Sequence, residues 1–341
     1  MKDLVRRYNI SVIPGDGIGP EIVPPVLGVL EALADHVGRF KFSFSLYDAG
    51  DACKQRTGVA LPEETYRGVE DSDACLFIAV GETASEVILP LRQKMDLYAN
   101  VRPAKTHIVT LSSRPSVDLV IVRENTEDLY RRLEDGNQEW GVALRVITRK
   151  ASERIARFAF ELARKQSRRR VTSVHKANVL LKTCGLFREA CQEVARAYPS
   201  IEFSEAYVDA CAMRLVMNPT AYDVIVTTNL FGDILSDLAA GLVGGLGLAP
   251  SGNIGDDFAI FEPVHGSAPD IAGRGIANPS ATILSASMML DWLGEPYGAY
   301  VLEDALLTVL REGRVVTPDI GGSSTTGEMA LAVLQKLKDI S

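Results

Sequence analysis

The stretch Ile13-Pro14-Gly15-Asp16-Gly17-Ile18-Gly19-Pro20-Glu21 decides how the rest of the chain is read. The β-branched run Ile10-Ser11-Val12-Ile13 leads into it as a strand, and helical periodicity follows from Glu21 to His36. A glycine-rich corner from strand to helix invites comparison with the dinucleotide-binding motif. That motif needs G-x-G-x-x-G, so that helix amides can approach a pyrophosphate. Here the spacing is G-x-G-x-G, and Pro20, which has no amide proton, stands where a donor would be needed. The corner therefore reads as a tight turn bordering a cleft, outside the standard dinucleotide fold.

Working outward, apolar runs recur at Ala74 to Val80, Val117 to Val122, Val171 to Val174 and Asp223 to Thr227. Between them lie helical patterns at Glu21–His36, Ser152–Lys165, Leu186–Tyr198, Asp233–Leu242, Ser280–Leu293 and Gly327–Lys338. Continuous apolar strands separated by helices indicate a sheet covered on both faces, and so an α/β protein. The segment Arg131 to Arg149 differs. A charged turn, Glu134-Asp135-Gly136-Asn137, precedes the alternating run Trp140 to Val146, which predicts a hairpin. It is either a plain surface hairpin or an arm that pairs with a second subunit.

The chain has 341 residues and a net charge of −8, from 44 acidic against 36 basic side chains, which gives no general attraction to nucleic acid or to anionic lipid. The basic run Arg168-Arg169-Arg170 lacks interleaved aromatics and reads as a solvated helix end or loop. No stretch resembles a membrane span: the most apolar one, Leu238 to Pro250, is short and interrupted by Gly241, Gly244, Gly245 and Gly247. The charged start, Met1 to Tyr8, runs straight into a strand and reads without a signal peptide. Five cysteines, with no C-x-x-C pair, read as reduced thiols in a cytoplasm.

Several residues have the chemistry of a site. Asp233 and Asp237 lie four apart after a strand, so a helix starting near Asp233 would carry both on one face. Two like charges so placed repel, and a hard cation such as Mg²⁺ or Mn²⁺ relieves that; helix capping is the structural alternative. Asp209 is a possible third ligand. Arg92, Arg102 and Arg123 border apolar strands, and their planar forks suit a ligand with two or more carboxylates. Lys176, after the strand Val171 to Val174, is a candidate base, and Tyr130 a candidate proton donor. Gly252, Gly255, His265, Gly266, Ser267, Ala268 and Asp270 read as a loop-rich stretch where a backbone can approach a ligand and an acidic group can accept ribose hydroxyls.

Taken together, Ile13 to Glu21, Asp96 to Pro103, Val122 to Glu127, His175 to Leu180, Thr227 to Gly247 and Glu262 to Pro279 resemble the β-decarboxylating dehydrogenases, the family of isocitrate, homoisocitrate and 3-isopropylmalate dehydrogenases. The blocks span nearly the whole chain. The resemblance implies a two-domain α/β fold with a large mixed sheet flanked by helices. One domain joins the chain ends, about 1–98 and 244–341; the other is the middle, about 99–243, with the arm and the dimer interface. It implies that Arg92, Arg102 and Arg123 bind substrate carboxylates, that Tyr130 and Lys176 are catalytic, and that Asp209, Asp233 and Asp237 hold Mg²⁺ or Mn²⁺. His265, Gly266, Ser267, Ala268, Asp270, Ile271 and Asn278 would hold the adenosine half of NAD, since NADP-specific relatives carry a basic residue and a tyrosine in place of Asp270-Ile271. Lys176 and Asp209 would come from the neighbouring subunit of a homodimer.

The resemblance also implies the reaction: oxidation of a 3-substituted malate at C2, then loss of its β-carboxylate. Ile88 and Leu89, just before Arg92, look like the apolar pair that contacts an isopropyl group, whereas the isocitrate type places serine and asparagine where Glu86 and Ile88 stand. Arg123 to Glu127 and Asp96 to Asn100 look more like the homoisocitrate and isocitrate branches. The expectation is 3-isopropylmalate, with homoisocitrate or isocitrate as the alternative. A non-catalytic subunit of a hetero-oligomer and a carboxylate-binding protein without turnover are the readings from other classes.

Overall fold

The structure, a computed structural model, describes residues 5–108 and 117–340; the start of the charged segment read from Met1 to Tyr8 lies outside them. Among these residues twelve strands form in chain order. They are β1 (Arg6–Gly15), β2 (Phe40–Leu46), β3 (Ala74–Ala79), β4 (Ala99–Lys105), β5 (Asp118–Glu124), β6 (Glu134–Gly136), β7 (Gly141–Ala143), β8 (Arg170–His175), β9 (Glu202–Tyr207), β10 (Val224–Thr227), β11 (Pro250–Ile254) and β12 (Ala259–Pro263). Ten make one sheet in the order β2-β1-β3-β12-β11-β4-β5-β10-β8-β9. Its wings are parallel, while the central run from β12 through β11 and β4 to β5 is antiparallel. The α/β class and the large mixed sheet are as the sequence led one to expect.

Eleven α-helices cover both faces among the described residues. They are α1 (Gly19–Val37), α2 (Asp51–Thr57), α3 (Glu63–Glu70), α4 (Ala84–Lys94), α5 (Arg149–Lys165), α6 (Thr183–Ala195), α7 (Val208–Met217), α8 (Asn229–Leu242), α9 (Ser280–Trp292), α10 (Pro296–Glu312) and α11 (Thr326–Leu337). Alternate side chains of each buried strand point to opposite faces, so the strands feed paired cores. On one wing, Ile10, Val12 and Leu76 pack with α1, α9 and α10, while Ile13, Cys75 and Phe77 pack on the other face with Val87 and Leu91. On the other wing, Val120 and Val122 pack with Ile155 and Phe160, and Leu119 and Ile121 with Leu215 and Leu235. The first pair of cores is built from both chain ends and the second from the middle of the chain.

The hairpin is present: β6 pairs antiparallel with β7, and Leu133, Trp140, Val142 and Leu144 around it are exposed. The arginine run is less free than its composition suggests, because Arg168 is paired with Asp118 at 2.6 Å and Asp223 at 3.0 Å, and Arg170 with Glu202 at 2.9 Å. All five cysteines are buried and unpaired. Among the described residues no helix is long and apolar enough to cross a membrane.

The corner between β1 and α1 is structural. Asp16 accepts from the amides of Asp51 (2.8 Å), Ala52 (3.0 Å) and Gly81 (3.0 Å), so its carboxylate fastens the start of α2 and the turn after β3. A β-carbon on Gly17 would lie 1.9 Å from the carbonyl oxygen of Ser267, which only glycine avoids. The amide of Ile18 donates to that same oxygen at 2.9 Å.

Candidate active site

Strand β4 carries Arg102 and the antiparallel β5 carries Arg123. Arg102 pairs with Ile121 and Asn100 with Arg123, which makes the two arginines diagonal neighbours on one face. Against that face lies α8. Its residues Asn229, Asp233, Ser236 and Asp237 follow at i, i+4, i+7 and i+8, which is a single stripe of a helix. A β-carbon on Gly232 would come within 2.7 Å of Arg123 Cβ and 2.5 Å of its Cγ, so glycine lets helix and strand meet this closely.

The contacts follow from that packing. Arg123 is almost fully buried, at 1 % exposure; its Nε and Nη2 donate to Asn229 Oδ1 at 2.9 and 2.7 Å, and its Nη1 to Asp233. Arg102 donates to Ser236 Oγ at 2.7 Å and faces Asp233 at 3.3 Å and Asp237 at 3.4 Å. Tyr130 Oη donates to Asp233 Oδ2 at 2.5 Å, and the Arg123 guanidinium lies 4.9 Å from the centre of its ring. The 3₁₀ turn that aims Tyr130 (Leu129–Arg131) begins after Asp128, a fully buried non-glycine residue at φ +72° that is fixed by Arg145 at 2.7 Å.

Arg92 stands on α4 rather than beside a strand, a correction to the sequence reading. It donates from Nη2 to Glu262 Oε1 at 2.9 Å on β12, and Glu262 also accepts from Asn253 Nδ2 at 2.8 Å. Asn253 in turn accepts from Asn100 at 2.9 Å and Asn125 at 3.0 Å, so a buried polar chain ties Arg92 to β4 and the end of β5. Ile88 and Leu89 share the face of α4 that carries Arg92, at i−4 and i−3; Ile88 sits largely in the core while Leu89 is half-buried. Glu86 is turned outward to an exposed pair with Lys54 at 2.7 Å.

Electrostatics follow burial. Desolvation lowers the pKa of Arg102, and together with the neighbouring Arg102 charge it brings Arg123 down to about 10. Burial works against the Asp233 carboxylate, yet Arg123 and Arg102 outweigh it and hold the group below the usual range. Burial, and the hydrogen bond to Asp233, raise Tyr130. The side chains of Asp233 and Asp237 are 37 % and 57 % exposed, beside arginines at 1 % and 9 %. Acidic oxygens thus reach solvent from a floor of buried cations.

Helix α8 begins at Asn229, four residues before the predicted start, so Asp233 and Asp237 sit within the helix and do not cap it. Lys176 and Asp209 do not join them. Lys176 follows β8, Asp209 lies in the first turn of α7, and the two pair with each other at 2.6 Å, which lowers the Asp209 pKa. Among the described residues no three acidic, histidine or cysteine side chains of one chain converge as a metal cage.

The predicted cofactor residues fall on the loop between β12 and α9. His265 is buried enough to lower its pKa, and its Nε2 has no partner. Gly266 and Asp270 are exposed, Ser267 touches the β1–α1 corner, Ala268 has φ +40°, and Ile271 packs against the first core. Asn278 is buried and committed to Asp319 at 3.0 Å and to the amide of Ser280 at 2.9 Å. Gly252 lies in β11 against Phe261, not in a loop. Glu262, Asn229, Ser236 and Asn253 escaped the sequence reading. The helical spacing of Asn229 to Asp233 would have revealed that residue had the helix start been read correctly, and Ser236 lay inside the helix as read, one turn from Asp233.

The isocitrate/isopropylmalate dehydrogenase family model matches residues 9–333. A 3-isopropylmalate dehydrogenase of Archaeoglobus fulgidus is 54% identical over 329 residues, covering 96% of this chain and 99% of that one. An isocitrate/homoisocitrate dehydrogenase of Thermus thermophilus is 52% identical, covering 98% and 99%. The crystal structure of isocitrate dehydrogenase from Methylococcus capsulatus superposes with a TM-score of 0.93 at 46% identity, over 97% of this chain and 99% of that one. Agreement of this extent, end to end, leaves one assignment: the chain belongs to the isocitrate/isopropylmalate dehydrogenase family, a family of β-decarboxylating dehydrogenases.

Proposed function

We propose that this chain is an NAD-dependent, metal-requiring dehydrogenase that oxidises 3-isopropylmalate at C2 and removes its β-carboxylate. The observation that carries the reading is the meeting of two buried guanidiniums, Arg102 and Arg123, with two solvent-reaching carboxylates, Asp233 and Asp237, beside the Tyr130 hydroxyl. The donor set fits Mg²⁺ or Mn²⁺, being hard carboxylate oxygens with exposed atoms to spare. The unpartnered His265 Nε2, the open Gly266 and the exposed Asp270 fit the adenosine of NAD, and the Asp270 carboxylate repels a 2′-phosphate.

When bound, the metal acidifies the C2 hydroxyl and the nicotinamide accepts the hydride from C2. The chain supplies the rest. Arg92, Arg102 and Arg123 orient the substrate's two carboxylates through paired N–H donors. Nζ of Lys176, as the neutral amine, takes the hydroxyl proton directly or by relay, and after the C3–carboxylate bond breaks and carbon dioxide leaves, Tyr130 Oη gives a proton to C3. Because Lys176 and Asp209 pair away from the Asp233 cluster within one chain, both reach the site from a second copy. Val179 and Leu181 after Lys176, Met213, Val216 and Met217 on the helix of Asp209, and Ile234 beside Asp233 are exposed and supply apolar surface such a homodimer would cover. Segments 1–98 with 244–341 and 99–243 then act as two domains flanking the site, and the five buried thiols suit a cytoplasmic protein.

The apolar α4 face at Ile88 and Leu89 favours an alkyl group on C3. Homoisocitrate or isocitrate is the second reading, favoured by the similarity to the Thermus enzyme and by Asn125 just after β5. NAD and NADP reduction measured with 3-isopropylmalate, homoisocitrate, isocitrate, malate and tartrate separates them. Turnover of 3-isopropylmalate with NAD is expected to be fastest, and absence of turnover with every substrate would refute the enzyme reading. Shared sites have their own test. Mixing inactive Lys176→Ala and Asp237→Asn chains should restore about a quarter of native activity, because half the dimers are mixed and each has one intact site. No recovery would show that each site is complete within one chain.

A further inference from the structure

The β1–α1 corner has two acidic side chains that the reaction does not use, Asp16, which fastens α2, and Glu21. Glu21, in the first turn of α1, reaches across to the loop before α9. Its Oε2 accepts from the amides of Gly273 at 2.8 Å and Gly275 at 3.2 Å, and its Oε1 from the amide of Ala277 at 3.2 Å. Gly273 and Gly275 adopt φ +74° and +65°, which turns alternate amides of the loop toward one point and makes an anion-binding concavity. The carboxylate fills it. On the other side the loop carbonyls face α11: Thr326 donates to Gly275 O at 2.9 Å from its amide and to Ala277 O at 2.7 Å from its hydroxyl. The loop is clamped between two helices by its amides and its carbonyls.

We propose that Glu21 is a positioning residue that sets the loop bearing Asp270 and Asn278 for the adenosine half of the cofactor, an inference that rests on the cofactor reading above. The need for a carboxylate is specific. Both oxygens accept, and together they satisfy three donors; a carboxamide would turn an N–H₂ toward one of those amides and lose the charge that strengthens the others. Asp270 is only three residues before Gly273 and Asn278 directly follows Ala277, so slack at the clamp is passed to both ends of the proposed adenosine site.

The test compares the native dimer with Glu21→Gln, Glu21→Asp and Gly275→Ala. Glu21→Gln should raise KM for NAD about fivefold or more while KM for 3-isopropylmalate stays within about twofold, with Glu21→Asp intermediate and Gly275→Ala resembling the carboxamide. A second readout needs no turnover. Arg274, exposed between the two clamped glycines, should be cut by trypsin faster in Glu21→Gln than in the native chain, and NAD should suppress the difference. Parallel Asp270→Ala measurements separate the two ways of failing. If Asp270→Ala shifts the NAD-to-NADP preference but Glu21→Gln moves neither KM for NAD nor cleavage, the positioning role is overturned. Equal losses toward NAD and 3-isopropylmalate would overturn it as well, since they mark a merely structural role. If Asp270→Ala leaves the preference unmoved, the cofactor site itself is misplaced and the role of Glu21 falls with it.

Discussion

Replacing Asp233 with asparagine tests the electrostatic argument most directly, because one carboxylate serves Arg102, Arg123 and Tyr130 at once. Asparagine keeps the size, removes the charge, and turns one of two acceptor oxygens into a donor facing other donors. Arg123 would retain only the neutral Asn229 Oδ1, and Arg102 only Ser236 and the more distant Asp237. Removing one partner of a fully buried ion pair costs about 3–5 kcal/mol. Asp233 itself is over a third exposed, so solvent screening brings the expected loss to about 2–3 kcal/mol. Urea unfolding at fixed protein concentration measures it. The same variant, without metal, should bind free 3-isopropylmalate more tightly than the native chain, since the substrate carboxylates now meet unpaired guanidiniums, although turnover is lost. A destabilisation below about 1 kcal/mol together with unchanged affinity for the dicarboxylate would refute the reasoning.

Glu127 offers a pH test, since burial pushes its carboxyl up to about 7 although Thr148 donates to it twice. The folded chain therefore keeps a proton that the unfolded chain releases near pH 4.5, so stability is lost as pH rises from there toward 7, by at most about 3 kcal/mol. Glu127→Gln should accordingly gain stability relative to the native chain between pH 5 and pH 8; a difference independent of pH contradicts the assignment. Asp237→Asn should lower metal-dependent turnover at least about a hundredfold with the fold unchanged by circular dichroism, and near-normal activity would contradict the metal role. Gly232→Ala should raise KM for 3-isopropylmalate by displacing Arg123, whose Cβ and Cγ cannot retreat from a buried position; an unchanged KM means the strand and helix can separate without disturbing the guanidinium.

Periodicity made β1, β3, β5, β8 and β10 and helices α1, α5, α6, α8, α9 and α11 legible because each reports which of its own faces is buried, whereas β2, β4, β9, β11, β12 and the short helices α2, α3 and α7 escaped it. It says little about what covers that face. Helix α4 escaped because Pro90 inside it reads as a breaker, and α10 because it opens on Pro296, which can equally end a loop. The start of α8 reads four residues late because Asn229 and Gly232, on either side of Leu230-Phe231, look like turn residues, and Asn229 was missed with it. Glu262 left no local trace at all. Its role comes from β12 lying beside β3 and β11 in the sheet, where it meets an arginine 170 residues away in sequence. Arg92, Lys176 and Asp209 stood out by residue type, and their roles followed from the resemblance of several separated blocks to one family; the structure then showed Arg92 on a helix and Lys176 paired with Asp209 away from the Asp233 cluster.

The charges of the site suggest why two ligands must arrive together. Arg92, Arg102 and Arg123 carry three positive charges, and Glu262, Asp233 and Asp237 three negative ones, so the site's own side chains balance. A dicarboxylate alone would compete with Asp233 and Asp237 for the guanidiniums. A divalent cation alone would draw those aspartates from the arginines and leave Arg123, at 1 % exposure, poorly compensated. Bound together they cancel: the cation takes the aspartates while the substrate carboxylates take the released guanidiniums. Metal and 3-isopropylmalate should therefore each tighten the binding of the other by the same factor, about 5- to 150-fold for a coupling of about 1–3 kcal/mol. Calorimetric titration of Mg²⁺ with and without the substrate, in the absence of NAD, measures this factor. Equal Mg²⁺ affinity in both titrations would mean that the arginines and aspartates do not exchange partners, and that the charge balance of these side chains plays no part in binding.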